Sequence, residues 1–412
     1  MSKSYKTLKL ACYSANVTMS VVGNISPLLF VTFRELYGIS YSLLGLLVLI
    51  NFGTQLTIDL VFSFFSHKFN IEKTVKAAPL LSFFGLMIYS LVPMLSPGHA
   101  YAGIVIGTFI SALSGGLCEV LISPVIASIP SDDPDREMSK LHSIYAWGVV
   151  PVIIITTLFL LIFGKHNWYY LVFFYMLIPL LSAIFFSISE IPAMKTPERV
   201  SGALKFLKSR TLWLCIASIF LGGAAECVMS QWASSYLEKA IALPKVVGDV
   251  LGVALFALML GLGRTLYSKF GKNIYNALTV GSFGAAVCYV AAALTSSPII
   301  ALIACTLTGL AVSMLWPGSL IVSADRFEKS GVFIYAMMAA GGDLGAAATP
   351  QLVGIIADTA MRSDRLIELS LRLGISSEQL GMKLGMLIGA IFPLFAVPVI
   401  LRLKSKGKNK SR

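Results

Sequence analysis

Long apolar runs recur from one end of the chain to the other, each interrupted by a short stretch holding charges, proline or glycine. About 20 helical residues at roughly 1.5 Å rise cross the hydrocarbon core of a bilayer. The runs meet that length and predict twelve membrane helices, near residues 9–33, 42–66, 74–96, 101–129, 138–163, 168–190, 211–237, 246–268, 274–295, 298–323, 331–357 and 382–403. The expected fold is an all-α membrane protein of two six-helix bundles.

The longest polar connection, Pro192 to Arg210, falls near the middle and carries Lys195, Pro197, Glu198, Arg199 and Lys205. It divides the chain into an N-terminal bundle (1–191), a cytoplasmic linker (192–210), a C-terminal bundle (211–404) and a basic tail (405–412). The halves echo each other, as parallel repeats in transporters do. Gly116-Leu117 followed by Pro124 recurs as Gly309-Leu310 followed by Pro317, in helices four and ten. Ile144-Tyr145-Ala146 recurs as Ile334-Tyr335-Ala336, and Lys68-Phe69 as Lys269-Phe270.

Polar residues inside the apolar runs are few and patterned. Helix four holds Thr108, Ser111, Gly115, Glu119 and Ser123; helix seven holds Ser218, Gly222, Glu226, Ser230 and Ser234; helix one holds Asn16, Ser20 and Asn24. Steps of four drift by about 40° on a helix of 3.6 residues per turn, so each set winds slowly over one broad face. Such a face lines a polar cavity or packs against a neighbouring helix, since small and hydroxyl residues serve both. Carboxylates in mid-membrane are costly, by roughly 2.5–3.5 kcal/mol or more, and point to function. That singles out Glu119 and Glu226, with Asp343 in Gly341-Gly342-Asp343-Leu344-Gly345. Asp59 lies closer to the basic His67-Lys68 loop and reads as its structural partner. Helices three, six, nine and twelve hold no internal acid and are expected to face lipid. Trp147, Trp232 and Trp316 offer aromatic planes for a substrate or, for Trp147, an interfacial anchor.

Composition agrees: 57% of residues are hydrophobic and 13% charged, against about 25% charged in soluble domains. The net charge of +12 comes from loops rather than from a nucleic-acid-binding face. Most of the 32 Lys and Arg fall on one side if the N-terminus is cytoplasmic, which predicts a multi-pass protein of the inner cell membrane with both termini in the cytoplasm. The N-terminal segment has no small-residue cleavage site and reads as the first span. Residues 361–382 read as an amphipathic helix on the outer surface, and the tail from Lys404 as a positive-inside anchor.

The six cysteines lie in apolar segments without ligand spacing, which gives no metal site. No phosphate-binding glycine loop precedes a Lys-Ser/Thr pair, and His142 has no Ser or Asp partner at catalytic spacing. The expectation is a non-enzyme without cofactors.

These residues resemble the major facilitator superfamily along essentially the whole chain. The family's loop after helix two survives as Ser63-x-x-x-His67-Lys68-x-Asn70 and as Ser268-Lys269-Phe270-Gly271-Lys272, with Arg264 beside a displaced Gly263. Within the family, Gly222-Gly223-Ala224-Ala225-Glu226 with Trp232 and Tyr236 is similar to the sugar–proton symporters related to fucose permease. Pro317, Gly342, Gly345, Pro350, Gly354 and Asp358 are similar in the same way. The resemblance implies that Glu119 couples protons. The acidic partner in helix one of that branch is absent, with Asn16 and Asn24 in its place.

The expected function is proton-coupled alternating access carrying a small polar solute, most simply a sugar, by a monomer. Glu119 and Glu226 are the proton-coupling candidates; Asn16, Asn24, Gln231, Trp232, Trp316 and Asp343 join them as substrate contacts. Asp59, Lys68, His142, Arg264 and Lys269 are expected in gating or structural roles. Proton-driven efflux of amphipathic compounds and a non-transporting receptor or scaffold are the alternatives.

Overall fold

A computed structural model describes residues 3–65, 68–130, 134–192, 207–327 and 332–408. Among the described residues the chain is helical and contains no strand. The long segments are α1 (Lys3–Tyr37), α2 (Tyr41–Phe65), α3 (Ile71–Leu95), α4 (Ala100–Ser128), α5 (Pro134–Phe163) and α6 (Trp168–Tyr175 continued by Leu177–Ser187). Then come α7 (Arg210–Lys239), α8 (Lys245–Val247, a π-helical Gly248–Ala254, then Leu255–Phe270) and α9 (Ile274–Leu294). The last are α10 (Pro298–Val312 and Leu315–Arg326), α11 (Val332–Arg362) and α12 (Ser377–Gly389 and Ile391–Lys408). Among the described residues ten helices are long and apolar enough to cross a membrane, and in α5 the apolar part is the shorter Trp147–Phe163. The central part of the expected linker, 193–206, and tail residues 409–412 lie outside the described residues.

Two compact units form: Met1–Gly38 with Ile50–Val200, and Ser201–Arg412 with Ile39–Leu49. The first turns of α2 thus join the second unit, where the sequence assigns them to the first half.

In the first unit, α3 and α4 approach closely because glycine removes side chains from the seam. A methyl group at Gly107 would stand 2.5 Å from Tyr89 Cβ and 2.6 Å from the Gly85 carbonyl oxygen. Ser114 is fully buried and donates to the Ala78 carbonyl of α3 at 2.6 Å. The small-residue stripe of α4 is therefore largely a packing seam. The polar face of α1 is likewise turned to α5: Asn16 Nδ2 donates to Leu141 O at 2.8 Å and Ser20 Oγ to Tyr145 O at 2.9 Å.

In the second unit α7 is tied on several sides. Ser218 and Ser319 share a hydrogen bond of 2.8 Å with α10, Tyr289 of α9 donates to Ala225 O at 2.7 Å, and Trp232 Nε1 donates to Pro350 O of α11 at 2.9 Å. A methyl group at Gly223 would stand 2.6 Å from Gly342 O of α11.

The first turn of a helix leaves amide donors without intrahelical partners. At the start of α2 the carboxylate of Asp358, from α11, accepts them: Tyr41 N at 3.0 Å and Ser42 N at 2.7 Å, with Ser42 Oγ at 2.5 Å. Tyr41 Oη also donates to Glu378 at 2.9 Å, and its ring meets Trp232 edge-on at 5.8 Å.

Large exposed apolar side chains stud α3 (Leu80, Phe84), α6 (Phe174, Leu181), α9 (Val280, Phe283) and α12 (Leu394, Phe395), as a lipid-facing role requires. The segment after α11 contains a short helix, Asp364–Arg372, with Leu369 and Leu371 exposed. A capping box at Ser376 and Gln379 then starts α12.

Candidate functional site

The first unit brings together two acids that the sequence keeps 60 positions apart. Gly115 and Gly116 let α2 lie against α4: a methyl at Gly116 would stand 2.9 Å from Ile58 Cβ, and one at Gly115 3.4 Å from Gln55 Nε2. The next turn of each helix carries Asp59 and Glu119, within electrostatic reach of each other. Asp59 is buried at 6% exposure, and His67 of the basic loop expected to partner it lies outside the described residues. Glu119 is accessible at the surface of its unit although protein atoms crowd around it. One proton or monovalent cation relieves the repulsion of two carboxylates held this close.

The second unit pairs its acid with an arginine. Arg264 stands more than a turn inside the end of α8, as the predicted helix 246–268 has it. Its guanidinium reaches Glu226 of α7 at 3.4 Å and donates through Nε to the Ser313 carbonyl at 3.2 Å. Sequence chemistry explains that second bond. Four residues after Ser313 stands Pro317, which has no N–H to return to that carbonyl, and α10 breaks at this point. Arg264 supplies the missing donor. Glu226 keeps 19% and Arg264 43% of its side chain accessible, so the pair borders an accessible space.

Asp343 is buried on α11 and lies within electrostatic reach of Cys227, next to Glu226. Trp316 is half-buried, its ring filling the space left by Gly342 and Gly223. Gln231 and Asn16 are buried, and Asn16 is committed to Leu141. Asn24 is half-buried and donates to Ser20 O at 2.8 Å. Trp232 is fully buried with its N–H committed to Pro350, so it packs α7 on α11 and presents no face to a solute in this structure. Lys68 is exposed and sits over the Phe65 ring at 5.1 Å, and Lys269 is exposed at the end of α8. His142 belongs to α5, but its side chain lies outside the described residues.

Sequence reasoning missed one charged pair. Asp249, fully buried in the π-helical turn of α8, is held at 3.0 Å by Lys245, which also donates to Ser234 at 3.0 Å. The signal was present as Lys and Asp four residues apart, which share one helical face. No cluster of three or more potential metal ligands occurs among the described residues.

Long apolar helices that hold acids along their length, with an arginine against one of them, form a multi-pass membrane protein. The chain belongs to the Major Facilitator Superfamily, whose sequence profile matches residues 11–350. No curated protein matches its sequence. Among solved structures it is similar to the D-xylose–proton symporter, with TM-score 0.69 at 16% identity over 96% of this chain and 97% of that one. It is similar too to a bacterial homologue of the human lysosomal transporter Spinster in an inward-facing, occupied conformation, with TM-score 0.67 at 16% identity over 98% of both chains. The POT family transporter PepTSo gives TM-score 0.73 at 12% identity over 98% and 99%. At these identities the likeness is one of fold.

Proposed function

We propose that this protein is a proton-coupled importer of a small polar solute, most simply a sugar or related metabolite, working by alternating access. The observation that carries the reading is Glu119, accessible in the middle of α4 with Asp59 beside it. Protonation there removes one charge from the pair, and return of the proton to the other side resets it. A membrane potential contributes about 2.3 kcal/mol per charge per 100 mV to such a cycle. Glu226 with Arg264, Asp343 and Trp316 supply the polar and aromatic groups that a hydroxylated solute needs on the second unit. The fucose permease-like residues of α7 and α11 support a sugar as the solute, and the fold shared with the D-xylose–proton symporter accommodates it. The distribution of Lys and Arg supports cytoplasmic termini in an inner cell membrane, and the protein acts as a monomer.

The test is uptake into proteoliposomes of a panel of labelled sugars, nucleosides and amino acids under an imposed inward proton gradient. At least one polar solute should accumulate and leak out when an uncoupler is added. Solute flux that ignores the gradient overturns proton coupling, and dye extrusion without sugar flux overturns import.

A further inference from the structure

One end of the second unit carries a groove that the transport reading does not use. It encloses about 400 Å³ between the start of α7 and the end of α12, lined by Arg210, Trp213, Leu214, Arg402 and Ser405. Its walls are chiefly apolar. Both charged residues on it are arginines, both are exposed, and among the described residues neither guanidinium has an ion-pair or hydrogen-bond partner. Two other cations nearby are engaged: Arg326 donates to Tyr275 Oη and to Leu403 O, and Lys404 to Asn276 Oδ1. Trp213 is 54% exposed, with its indole N–H held by Leu207 O at 2.8 Å, so the ring is fixed with its apolar face free.

Two unpaired guanidiniums beside an apolar slot and a fixed indole, at the ends of two membrane helices, match a ligand with an anionic phosphate head and hydrocarbon tails. Arginine presents planar, multiply donating groups suited to phosphate oxygens. Indole rings favour the headgroup level. We propose that this groove binds an anionic phospholipid, the phosphate between Arg210 and Arg402 and an acyl chain along Trp213 and Leu214.

Native mass spectrometry of the full-length protein, loaded with phosphatidylglycerol or with phosphatidylcholine of the same acyl chains, tests this. Phosphatidylglycerol should be retained selectively. Arg210→Gln/Arg402→Gln should weaken its binding by about tenfold or more, since a basic residue near a membrane surface contributes about 1 kcal/mol. Arg210→Lys/Arg402→Lys should retain part of it, and Ser405→Trp should exclude the lipid by filling the groove while leaving both arginines. Equal retention of the two lipids overturns the proposal, as does undiminished phosphatidylglycerol binding in the Gln pair or in Ser405→Trp. Displacement by millimolar inorganic phosphate overturns it too, because it reveals a soluble-anion site.

Discussion

Helices α4 and α7 carry the same stripe, small or hydroxyl residues stepping along one face to a glutamate in mid-membrane, yet their surroundings neutralise that glutamate in opposite ways. In the first unit Glu119 is set beside a second acid, Asp59. In the second, Glu226 is set beside Arg264 at 3.4 Å. Equal spacing therefore does not mean equal chemistry. A carboxylate beside a carboxylate favours uptake of a proton by one of the two, whereas a carboxylate beside a guanidinium is held in its charged form. The first arrangement suits coupling and the second suits holding a polar site in shape.

The largest expected effect separates the two directly. Glu119→Gln should abolish gradient-driven accumulation in proteoliposomes while solute counterflow continues, because exchange needs no net proton movement. Glu226→Gln should leave coupling in place and lower apparent affinity. Matching phenotypes would break the comparison, as would full accumulation by Glu119→Gln.

A second pair of substitutions asks whether the two halves are built alike beneath that difference. Gly116 of α4 admits α2, and Gly309, at the matching place in α10, admits the Phe256 backbone of α8. Gly116→Val and Gly309→Val should each destabilise by about 1–3 kcal/mol, the usual cost of overpacking. Gly309 should be the more sensitive, because it faces backbone that cannot step aside whereas Gly116 faces mainly the Ile58 side chain. Thermal unfolding in detergent reads both, and a tolerant Gly309 would contradict the packing.

Much of this was legible in the sequence. The apolar runs gave the helices, since span length and backbone satisfaction leave a membrane chain few options. Acid positions gave the candidate residues. What could not be read was partnership. That Asp59 comes near Glu119 depends on the close approach of α2 to α4 at Gly116, which no periodicity announces. Arg264 falls inside the predicted helix 246–268, but its partners are not legible there: Glu226 comes from α7, and Ser313 O of α10 is left without its helical donor by Pro317. Trp232 reads as a binding residue until Pro350 O is found on its indole N–H. Periodicity assigns a residue to a face but does not say which neighbour covers that face.

The Arg264 bridge predicts a smaller, non-additive effect. Its contacts to Glu226 are long and partly accessible, so Arg264→Gln should cost about 1–2 kcal/mol, toward the low end of the range for hydrogen bonds to charged groups. Part of that cost is the uncompensated Glu226 charge, and the rest is the orphaned Ser313 carbonyl. Adding Glu226→Gln to Arg264→Gln should therefore recover some stability. Strict additivity of the two changes would mean that the pair is not coupled.

Asp358 adds a third way of neutralising an acid and sets the lower end of the scale. Its counter-charge is neither a proton nor a side chain but the amide end of α2, with Tyr41 N at 3.0 Å, Ser42 N at 2.7 Å and the Ser42 hydroxyl at 2.5 Å. Removing a capping side chain costs about 1 kcal/mol in typical proteins, so Asp358→Ala should lower stability by that order. Ser42→Ala removes one hydroxyl donor and leaves both amides, so it should cost less than half as much. Hydrogen exchange gives the most direct readout: Tyr41 and Ser42 amides should exchange faster in Asp358→Ala and remain protected in Ser42→Ala. If Ser42→Ala deprotects them equally, the hydroxyl rather than the carboxylate is what holds the head of α2, and the grouping of Asp358 with Glu119 and Glu226 as acids distinguished by their partners would lose its third member.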